Sequence, residues 1–267
     1  MMLEKITPVL LTYNEAANIR RALAQLSWAP RIVVVDSFST DATIAILKEF
    51  ANISLYQRKF DTHAQQWRFA TQETAIATPW ILRLDADYVV GDALIAELAA
   101  LPDNEDAAAY KIGFDYAIFS RRLAASLYPE NTILLRTGRF QIIDRGHTEG
   151  WSVEGPIRQL KSKVIHDDRK SLDRWIAAQV RYMRLERETL ARRRGLKTWL
   201  REHPPLMPII VFLYCLFGKR LIFAGRAGMY YALQRGMAEA MLSLLILDRS
   251  LRPSGPDGRE QDGPSGP

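Results

Sequence analysis

The 267-residue sequence contains one cysteine, and this scarcity limits the kinds of site that it can build. A lone thiol, Cys215, excludes an internal disulfide framework and any zinc or iron–sulfur site held by several cysteines. Two nucleotide-binding patterns are missing as well, because TYNEAANI rather than G-x-G-x-x-G follows the first predicted strand and no P-loop pattern occurs. We therefore expect a reducing compartment, and the missing patterns count against a dinucleotide-dependent oxidoreductase.

The apolar stretch at residues 204–218 is too short to cross a bilayer simply. Its 15 residues span only ~22 Å as a helix, against a hydrocarbon core of ~30 Å. Lys219 and Arg220 follow it, and a second apolar helical pattern covers residues 229–247. This arrangement predicts an interfacial or re-entrant pair of helices. At the N-terminus, Glu4 and Lys5 precede a short apolar run without a small-residue cleavage site, which predicts a first strand rather than a signal peptide.

The net charge of +6 is unevenly distributed along the chain. Residues 1–168 carry −3, whereas residues 169–252 carry +11. A basic segment beside an apolar one favours an anionic membrane surface, where each cationic side chain contributes ~1 kcal/mol. The alternatives are a solvated helix end and a nucleic-acid surface, but the basic half contains no recognisable nucleic-acid module. The predicted membrane-binding residues are Arg192, Arg193, Arg194, Lys197, Lys219 and Arg220.

Short apolar runs of strand length alternate with helix-like stretches in the first third of the chain. The runs cover residues 6–12, 31–35, 53–57 and 80–84, and Asn14 is placed as an N-cap of the first intervening helix. Strands that are apolar on both faces and separated by amphipathic helices predict an α/β fold with a mostly parallel sheet covered on both sides. In open sheets of this kind, ligands bind beyond the carboxyl ends of the strands.

Two carboxylates, Asp85 and Asp87, directly follow the apolar run at residues 80–84. They therefore lie where such a fold places its site. A hard divalent cation needs carboxylate oxygens together with substrate phosphates and waters, and a sugar nucleotide supplies the phosphates. The cation would neutralise charge on the departing diphosphate. The alternative is a loop that needs acidic helix caps ahead of Gly91 and Asp92.

Asp36 leaves the second predicted strand in the sequence VVVDSFSTDAT. An acidic side chain at this place can accept hydrogen bonds from a ribose or from a base N–H. The alternative is that Asp36, Ser39 and Asp41 cap the following helix, which we expect of Asp41 more than of Asp36.

Three motifs, LTYNEAANI, VVVDSFSTDAT and LRLDADYVV, in this order and spacing resemble the family 2 inverting glycosyltransferases of the GT-A (Rossmann-like) fold. More narrowly, the chain is similar to the bacterial lipopolysaccharide-core and exopolysaccharide branch, which adds glucose or a related sugar to a lipid-carried acceptor. The resemblance covers roughly residues 3–247.

The resemblance implies roles for individual residues on the donor side. Asp36 would contact the nucleotide base, Asp85 the ribose or the metal, and Asp87 the metal, which would be Mg²⁺ or Mn²⁺. His166 is a further candidate for the metal or the diphosphate. The remaining donor-binding candidates are Thr12, Asn14, Glu15, Gln66 and Arg68, whereas Trp67 is expected to pack in the core.

The segment GHTEGWSVEGPIRQL resembles the part of this branch that carries the general base. An inverting transfer needs one carboxylate to take the proton of the acceptor hydroxyl while that oxygen attacks the anomeric carbon. Glu149 and Glu154 both qualify. Because His147-Thr148-Glu149 is closer to the expected His-Glu pattern, Glu149 is ranked first.

The resemblance implies a metal-dependent glycosyltransferase that takes a nucleotide sugar, with a UDP-sugar as the expected donor, and a lipid-linked glycan acceptor. We expect it at the cytoplasmic face of the bacterial inner membrane, with a catalytic domain at residues 1–168 and a membrane-associating helical region at residues 169–252. Residues 253–267, rich in Gly and Pro, are expected to be disordered. The alternatives are a noncatalytic membrane-bound adaptor and another nucleotide-using α/β enzyme, such as a nucleotidyltransferase.

Overall fold

The computed structural model describes residues 2–102, 106–144, 149–190 and 206–251. These residues form two compact units: the first contains residues 2–120 and 127–169, and the second contains residues 121–126 and 170–251. Arg169 is thus the last residue of the first unit, and the predicted domain boundary lies after residue 168. The predicted disordered tail, residues 253–267, lies outside the described residues.

Strands and helices are numbered in chain order across both units. The strands are β1 (Ile6–Thr12), β2 (Ile32–Asp36), β3 (Ile53–Gln57), β4 (Trp80–Asp85), β5 (Tyr88–Val89), β6 (Ala109–Ile118), β7 (Arg121–Arg122), β8 (Asn131–Arg136), β9 (Phe140–Asp144), β10 (Glu149–Val153) and β11 (Ile157–His166). The α-helices are α1 (Ile19–Ala24), α2 (Thr43–Leu47), α3 (His63–Gln72), α4 (Asp92–Ala99), α5 (Leu172–Leu190), α6 (Leu206–Leu213) and α7 (Gly225–Leu251).

The main sheet of the first unit has the strand order β3-β2-β1-β4-β8-β6-β11-β5. The first four strands are parallel, β8 runs antiparallel between β4 and β6, and β6 and β11 are again parallel. The carboxyl ends of six strands, β1, β2, β3, β4, β6 and β11, therefore lie at one edge of the sheet. The predicted α/β fold with a mostly parallel sheet flanked by helices is confirmed.

Apolar side chains cover both faces of the central strands. One face is buried against α1 and α4, in a cluster that includes Leu10, Val34, Leu84 and Leu94. The other face is buried against α3 and the ribbon formed by β9 and β10. Because successive side chains of a strand point to opposite faces, burial on both sides requires the continuous apolar runs that the sequence shows.

The first helix begins later than the sequence predicts. Asn14 does not cap it, because α1 starts at Ile19 and its N-cap residue is Asn18. Asn14 instead has a left-handed backbone with φ of 54°, a conformation that asparagine adopts more readily than most residues. The side chain of Asn14 serves the neighbouring loop, as described below.

The second unit contains α5, α6 and α7, with a π-helical turn (Tyr214–Gly218) and a 3₁₀-helix (Leu221–Ala224) between α6 and α7. None of the helices in the described ranges is by itself both long and apolar enough to cross a bilayer. The segments Leu206–Gly218 and Leu221–Leu251 meet that criterion only as a pair, and they are bent by 76°. The pair packs closely, since a Cβ added at Gly236 would lie 3.2 Å from the carbonyl oxygen of Pro208.

Candidate active site

Register places the predicted donor-binding residues side by side at the carboxyl edge of the sheet. Thr12 pairs with Asp36, Asp36 pairs with Gln57, and Leu11 pairs with Asp85. Neighbouring strands lie about 4.8 Å apart, so Asp36 and Asp85 are separated by two strand spacings, about 10 Å.

Asp36 is fully buried and holds the turn that follows β2. Its Oδ1 accepts from the Thr12 hydroxyl at 2.9 Å and from the Ser39 hydroxyl. Its Oδ2 accepts from the Ser39 N–H at 2.8 Å and from the Gln57 side-chain amide at 3.4 Å. The side chain of Asp36 therefore fixes the shape of the loop that follows β2.

The loops after β1 and β2 are tied together by Asn14. Its side-chain oxygen accepts from the N–H groups of Thr40, at 2.7 Å, and Asp41, at 3.2 Å, and its own N–H donates to the Ser39 hydroxyl. Asp41 accepts from the N–H of Thr43, the first residue of α2, but the N-cap residue of α2 is Ala42, so that Asp41 lies one residue before the cap. Two loops from neighbouring strands thereby form one rigid rim beside Asp36.

Glu15 and Gln66 are both engaged within the protein. The N–H of Glu15 donates to the Thr43 hydroxyl, and its carboxylate accepts from Asn18. Gln66, on α3, is fully buried; it donates to the Ser37 hydroxyl at 2.9 Å and accepts from Arg58 at 2.7 Å. The sequence predicts that both residues bind the donor, but their hydrogen bonds stabilise the loops of the rim.

Arg68 supports the ribbon of β9 and β10 rather than the rim, because it donates to the Ile142 carbonyl at 2.7 Å. The neighbouring Trp67 is buried and contacts Trp151 edge to face, with ring centroids 5.6 Å apart. The guanidinium of Arg83 lies over both rings, at 5.6 Å from Trp67 and 5.1 Å from Trp151. The expectation that Trp67 packs in the core is confirmed.

Asp87 and His166 meet although 79 residues separate them in the sequence. Asp85 is exposed at the end of β4, whereas Asp87 is partly buried and lies 3.6 Å from His166, measured from Oδ2 to Nε2. The pairing of β5 with the last residues of β11 brings them together, since Tyr88 pairs with His166. The antiparallel pairing of β5 with β11 therefore creates a contact that the order of residues in the sequence does not indicate.

Aromatic rings lie close to the imidazole of His166. Tyr116 stacks on the imidazole with ring centroids 4.6 Å apart, and Tyr128 lies 4.5 Å away. The Tyr128 hydroxyl is hydrogen-bonded to that of Tyr88 at 2.6 Å, and burial raises the pKa of both phenols, so that they stay neutral. His166 Nδ1 is buried without a hydrogen-bond partner among the described residues.

The pair of Asp87 and His166 fits the requirements of a divalent cation that also binds phosphate. Such cations are held by one or two protein ligands, and phosphates and waters complete their coordination. Two ligand atoms 3.6 Å apart can bind one cation. No group of three or more His, Cys, Asp or Glu side chains that could enclose a metal occurs in the described part of the chain. The residues present therefore suit a shared site rather than an all-protein cage.

A partly buried ionic cluster adjoins this pair, and the sequence did not indicate it. We call it the Asp167 cluster; it consists of Asn18, Arg21, Ser120, Asp167 and Arg169. Asp167 is buried and its carboxylate accepts from Arg21 at 2.9 Å and from Arg169 at 3.0 Å. Burial lowers the pKa of Arg21, and the negative charge of Asp167 opposes that shift. The sequence features that could have indicated this cluster are Asp167 and Asp168, which follow His166, and the polar residues around Asn18.

The two candidate bases lie at opposite ends of the β9–β10 ribbon. The N–H of Glu154 donates to the Arg139 carbonyl, and Pro156 accepts from Ala108, just ahead of β6. This places Glu154 at the amino edge of the sheet, about 17 Å from the carboxyl edge if β4 is taken at 3.3 Å per residue. Glu149 begins β10 at the other end of the ribbon and pairs with Asp144.

Several predicted residues lie outside the described part of the chain or in the second unit. His147, Thr148, Arg192, Arg193, Arg194 and Lys197 are outside the described residues, as is the side chain of Glu149. Lys219 and Arg220 are in the second unit, at the break between α6 and α7. The ammonium of Lys219 lies 5.9 Å from the ring centroid of Tyr214.

Sequence comparison finds proteins described as glycosyltransferases among the relatives of this chain. A Rickettsia bellii protein described as an uncharacterized glycosyltransferase is 34% identical over 99 residues, 37% of this chain and 33% of that protein. The match therefore spans about a third of that relative's length. The Rhizobium meliloti lipopolysaccharide core biosynthesis glycosyltransferase LpsC is 25% identical over 194 residues, 68% of this chain and 70% of that protein.

One of the solved structures that are similar to this chain is S. aureus TarS 1–349 in complex with UDP-GlcNAc. It has a TM-score of 0.47 and 15% identity, and the match covers 88% of this chain and 81% of that chain. The model of glycosyl transferase family 2 matches residues 8–156, which is more than half of the chain. The chain therefore belongs to glycosyl transferase family 2.

Proposed function

We propose that this protein is a metal-dependent inverting glycosyltransferase that moves a hexose such as glucose from a nucleotide sugar to a lipid-linked glycan. The observation that carries the proposal is the gathering of Asp36, Asp85, Asp87 and His166 at the carboxyl edge of one sheet. Family membership supports the transfer reaction, and the similarity to LpsC supports a place in lipopolysaccharide or exopolysaccharide synthesis.

The donor would lie along this edge, with its base against the rim and its diphosphate beside Asp85. The rim is held in shape by Asn14 and by the buried carboxylate of Asp36, whose hydrogen bonds are made within the protein. These two residues would therefore shape the surface that receives the base of a UDP-sugar. Asp87 and His166 would hold Mg²⁺ or Mn²⁺, with Asp85 in reach of the cation or the ribose. When bound, such a cation neutralises charge on a departing diphosphate.

The acceptor hydroxyl needs a base, and we assign that role to Glu149. Its carboxylate would take the hydroxyl proton while the oxygen bonds to the anomeric carbon, and the bond to the diphosphate breaks on the opposite side. The ribbon supports this choice over Glu154, because Trp151 contacts Arg83, two residues before Asp85. The ribbon therefore runs from the amino edge at Glu154 towards the carboxyl edge at Glu149.

The donor site is tested with Asp87→Asn, which keeps the shape of the side chain and removes its charge. We expect Mn²⁺ to raise the thermal stability of the wild-type protein further when UDP is present, because a ligand that binds only the native state stabilises it. In Asp87→Asn this increment and sugar transfer should both be lost, while the circular dichroism spectrum is unchanged. Normal turnover of Asp87→Asn would contradict the metal role.

The base is tested with two matched variants. Glu149→Gln should bind UDP-sugar as the wild type does and lose transfer by roughly 10²–10⁴-fold, the usual contribution of general base catalysis. Glu154→Gln should keep wild-type turnover. The reverse result would move the assignment to Glu154. Loss in neither variant would show that the base is a different residue.

The second unit would attach the protein to the cytoplasmic face of the inner membrane as a peripheral or monotopic protein. Large apolar side chains are exposed along α6, the break and α7, and Phe223 is 86% exposed. Residues 206–238 contain Lys219, Arg220, Arg226 and Arg235 but no acidic residue. An apolar surface flanked by cations suits anionic lipid, with apolar groups inserted and charges at the headgroups.

Membrane attachment is tested by co-sedimentation with vesicles of phosphatidylcholine and phosphatidylglycerol. The double variant Phe217→Ser/Phe223→Ser should lose most of the bound fraction. Ile157→Ser, which replaces an exposed apolar residue of the first unit, is the control. Binding of the wild type should weaken as salt screens the cations. Equal binding of all three proteins would exclude the break as the attachment point.

A further inference from the structure

The segment that follows His166 is held by contacts from several separate elements. The backbone N–H of Asp167 donates to the carbonyl oxygen of Asp87 at 3.2 Å. Its carboxylate also accepts from the Ser120 N–H at 3.2 Å, and Arg169 donates to the Ser120 hydroxyl. Asp167 is therefore joined to His166 by the chain and to Asp87 by a hydrogen bond. A shift of Asp167 would move both members of the candidate cation site.

Arg21 is the contact that fixes this segment to α1. One nitrogen of its guanidinium donates to the Asp167 carboxylate at 2.9 Å, and another donates to the Asp167 carbonyl oxygen at 2.8 Å. Arg21 therefore binds both the side chain and the main chain of Asp167. Two hydrogen bonds from one planar group fix orientation as well as distance, which a lysine ammonium does not reproduce.

Asn18 holds Arg21 in place and is itself saturated. Its side-chain oxygen accepts from Arg21 at 2.9 Å and from the Arg169 N–H at 2.9 Å. Its side-chain NH₂ donates to Glu15 at 2.9 Å and to Asp168 at 2.8 Å. Because Asn18 is buried, each of these bonds is shielded from competing water. The start of α1 is thereby fixed to residues 167–169.

We propose that Arg21 is a positioning residue for the cation site. By forming two hydrogen bonds to Asp167, it sets the distance between Asp87 Oδ2 and His166 Nε2. This inference rests on the proposed function, since it assigns a role to Arg21 in that same site. Groups that orient metal ligands affect metal affinity although they do not touch the metal, and their replacement typically costs about 10–100-fold.

The test compares Arg21→Lys with Arg20→Lys in the full-length protein. Arg20 is the neighbour on the same helix, is exposed and pairs with Glu49. The affinity for Mn²⁺ is measured by electron paramagnetic resonance of the free ion at saturating UDP. We expect Arg21→Lys to weaken Mn²⁺ binding by about tenfold or more. Arg20→Lys should bind Mn²⁺ as the wild type does.

A second readout separates positioning from loss of structure. In Arg21→Lys the Mn²⁺ concentration for half-maximal transfer should rise by about tenfold, the low end of the range for such residues. The turnover at saturating Mn²⁺ should stay within twofold of the wild type by the same reasoning, since the ligands themselves remain. A purely structural role would lower turnover at every Mn²⁺ concentration.

Each outcome has a distinct meaning. If the wild type binds Mn²⁺ and folded Arg21→Lys binds it equally well, the positioning role is wrong and the proposed function stands. If the wild type does not bind Mn²⁺ in the presence of UDP, the proposed metal dependence fails and the positioning role with it. If Arg21→Lys does not fold, Arg21→Gln, which also removes the paired bonds to Asp167, is measured in its place; unchanged Mn²⁺ affinity in this variant would overturn the inference.

Discussion

Replacing Asp36 should destabilise the first unit by an amount that depends on how many hydrogen bonds the new side chain keeps. The carboxylate is fully buried and accepts from Thr12, from two groups of Ser39 and from Gln57. Asparagine has the same shape. Its oxygen can accept from the Ser39 N–H, while its NH₂ donates to the two hydroxyl oxygens, whose hydrogens can rotate away.

The magnitudes follow from this geometry. Hydrogen bonds to a charged acceptor contribute about 1.5–3 kcal/mol and neutral ones about 1 kcal/mol, so Asp36→Asn should cost about 1.5 kcal/mol. Asp36→Ala leaves the Ser39 N–H and the Thr12 hydroxyl without an acceptor, and each loss costs about 1–3 kcal/mol, so about 4 kcal/mol is expected. Thr12→Val removes one bond to the carboxylate and should cost about 2 kcal/mol.

The assay is urea denaturation of the full-length protein followed by tryptophan fluorescence, which gives the free energy of unfolding of each variant. Asp106→Asn is the control, because Asp106 is exposed and its pair with Arg158 should contribute at most about 1 kcal/mol. Equal destabilisation by Asp36→Asn and Asp36→Ala would refute the reasoning. So would a Thr12→Val variant as stable as the wild type.

Two further predictions concern a surface ion pair and a helix contact. Arg58 bonds to Asp61 and lowers the pKa of that carboxyl to about 2 from its ordinary value of 3.8. Because the folded pKa is lowered, the pair's contribution to stability is complete above the ordinary value and is lost as the pH falls towards 2; Arg58→Ala should return the pKa towards 3.8 in an NMR titration. Gly228→Ala should lower the melting temperature of the second unit, since the added Cβ would lie 1.9 Å from the Leu221 carbonyl oxygen. Overpacking of this kind costs about 1–3 kcal/mol, whereas Gly91→Ala, with no atom within 4 Å of the added Cβ, should change little.

Local pattern was sufficient for the strands and for the edge at which the site forms. The runs predicted for β1 and β3 have the bounds that the structure shows. For β1 the reason is that a strand buried on both faces is largely apolar along its length. The start of α1 could not be predicted in the same way. Asn14 has the sequence features of an N-cap, but its side chain bonds to the loop after β2, a contact between segments 26 residues apart.

The predicted donor-binding residues show what a sequence motif does not indicate about a site. Asp36 and Gln66 were expected beside a nucleotide, and both are buried with their polar atoms bonded to the protein. The motif identifies where the rim lies but does not distinguish residues that support it from residues that face a ligand. That distinction depends on which side chains from other segments contact each residue. The spacing of residues within one segment does not determine those contacts.

The sequence by itself determined the alternation of strands and helices and the row of acidic residues at strand ends, because both follow from periodicity and order within short segments. The resemblance of three ordered motifs indicated the family. Only the tertiary structure decided that Asp87 meets His166, that Arg21 grips Asp167, and that Glu149 and Glu154 lie at opposite ends of a ribbon. Asp87 and His166, like Arg21 and Asp167, are distant in the chain, and the antiparallel pairing of β5 with β11 brings the first two together. Glu149 and Glu154 are close in the chain, and the extended strand β10 between them separates them along the ribbon. Pairing between distant strands is set by the packing of the whole sheet, which no local segment specifies.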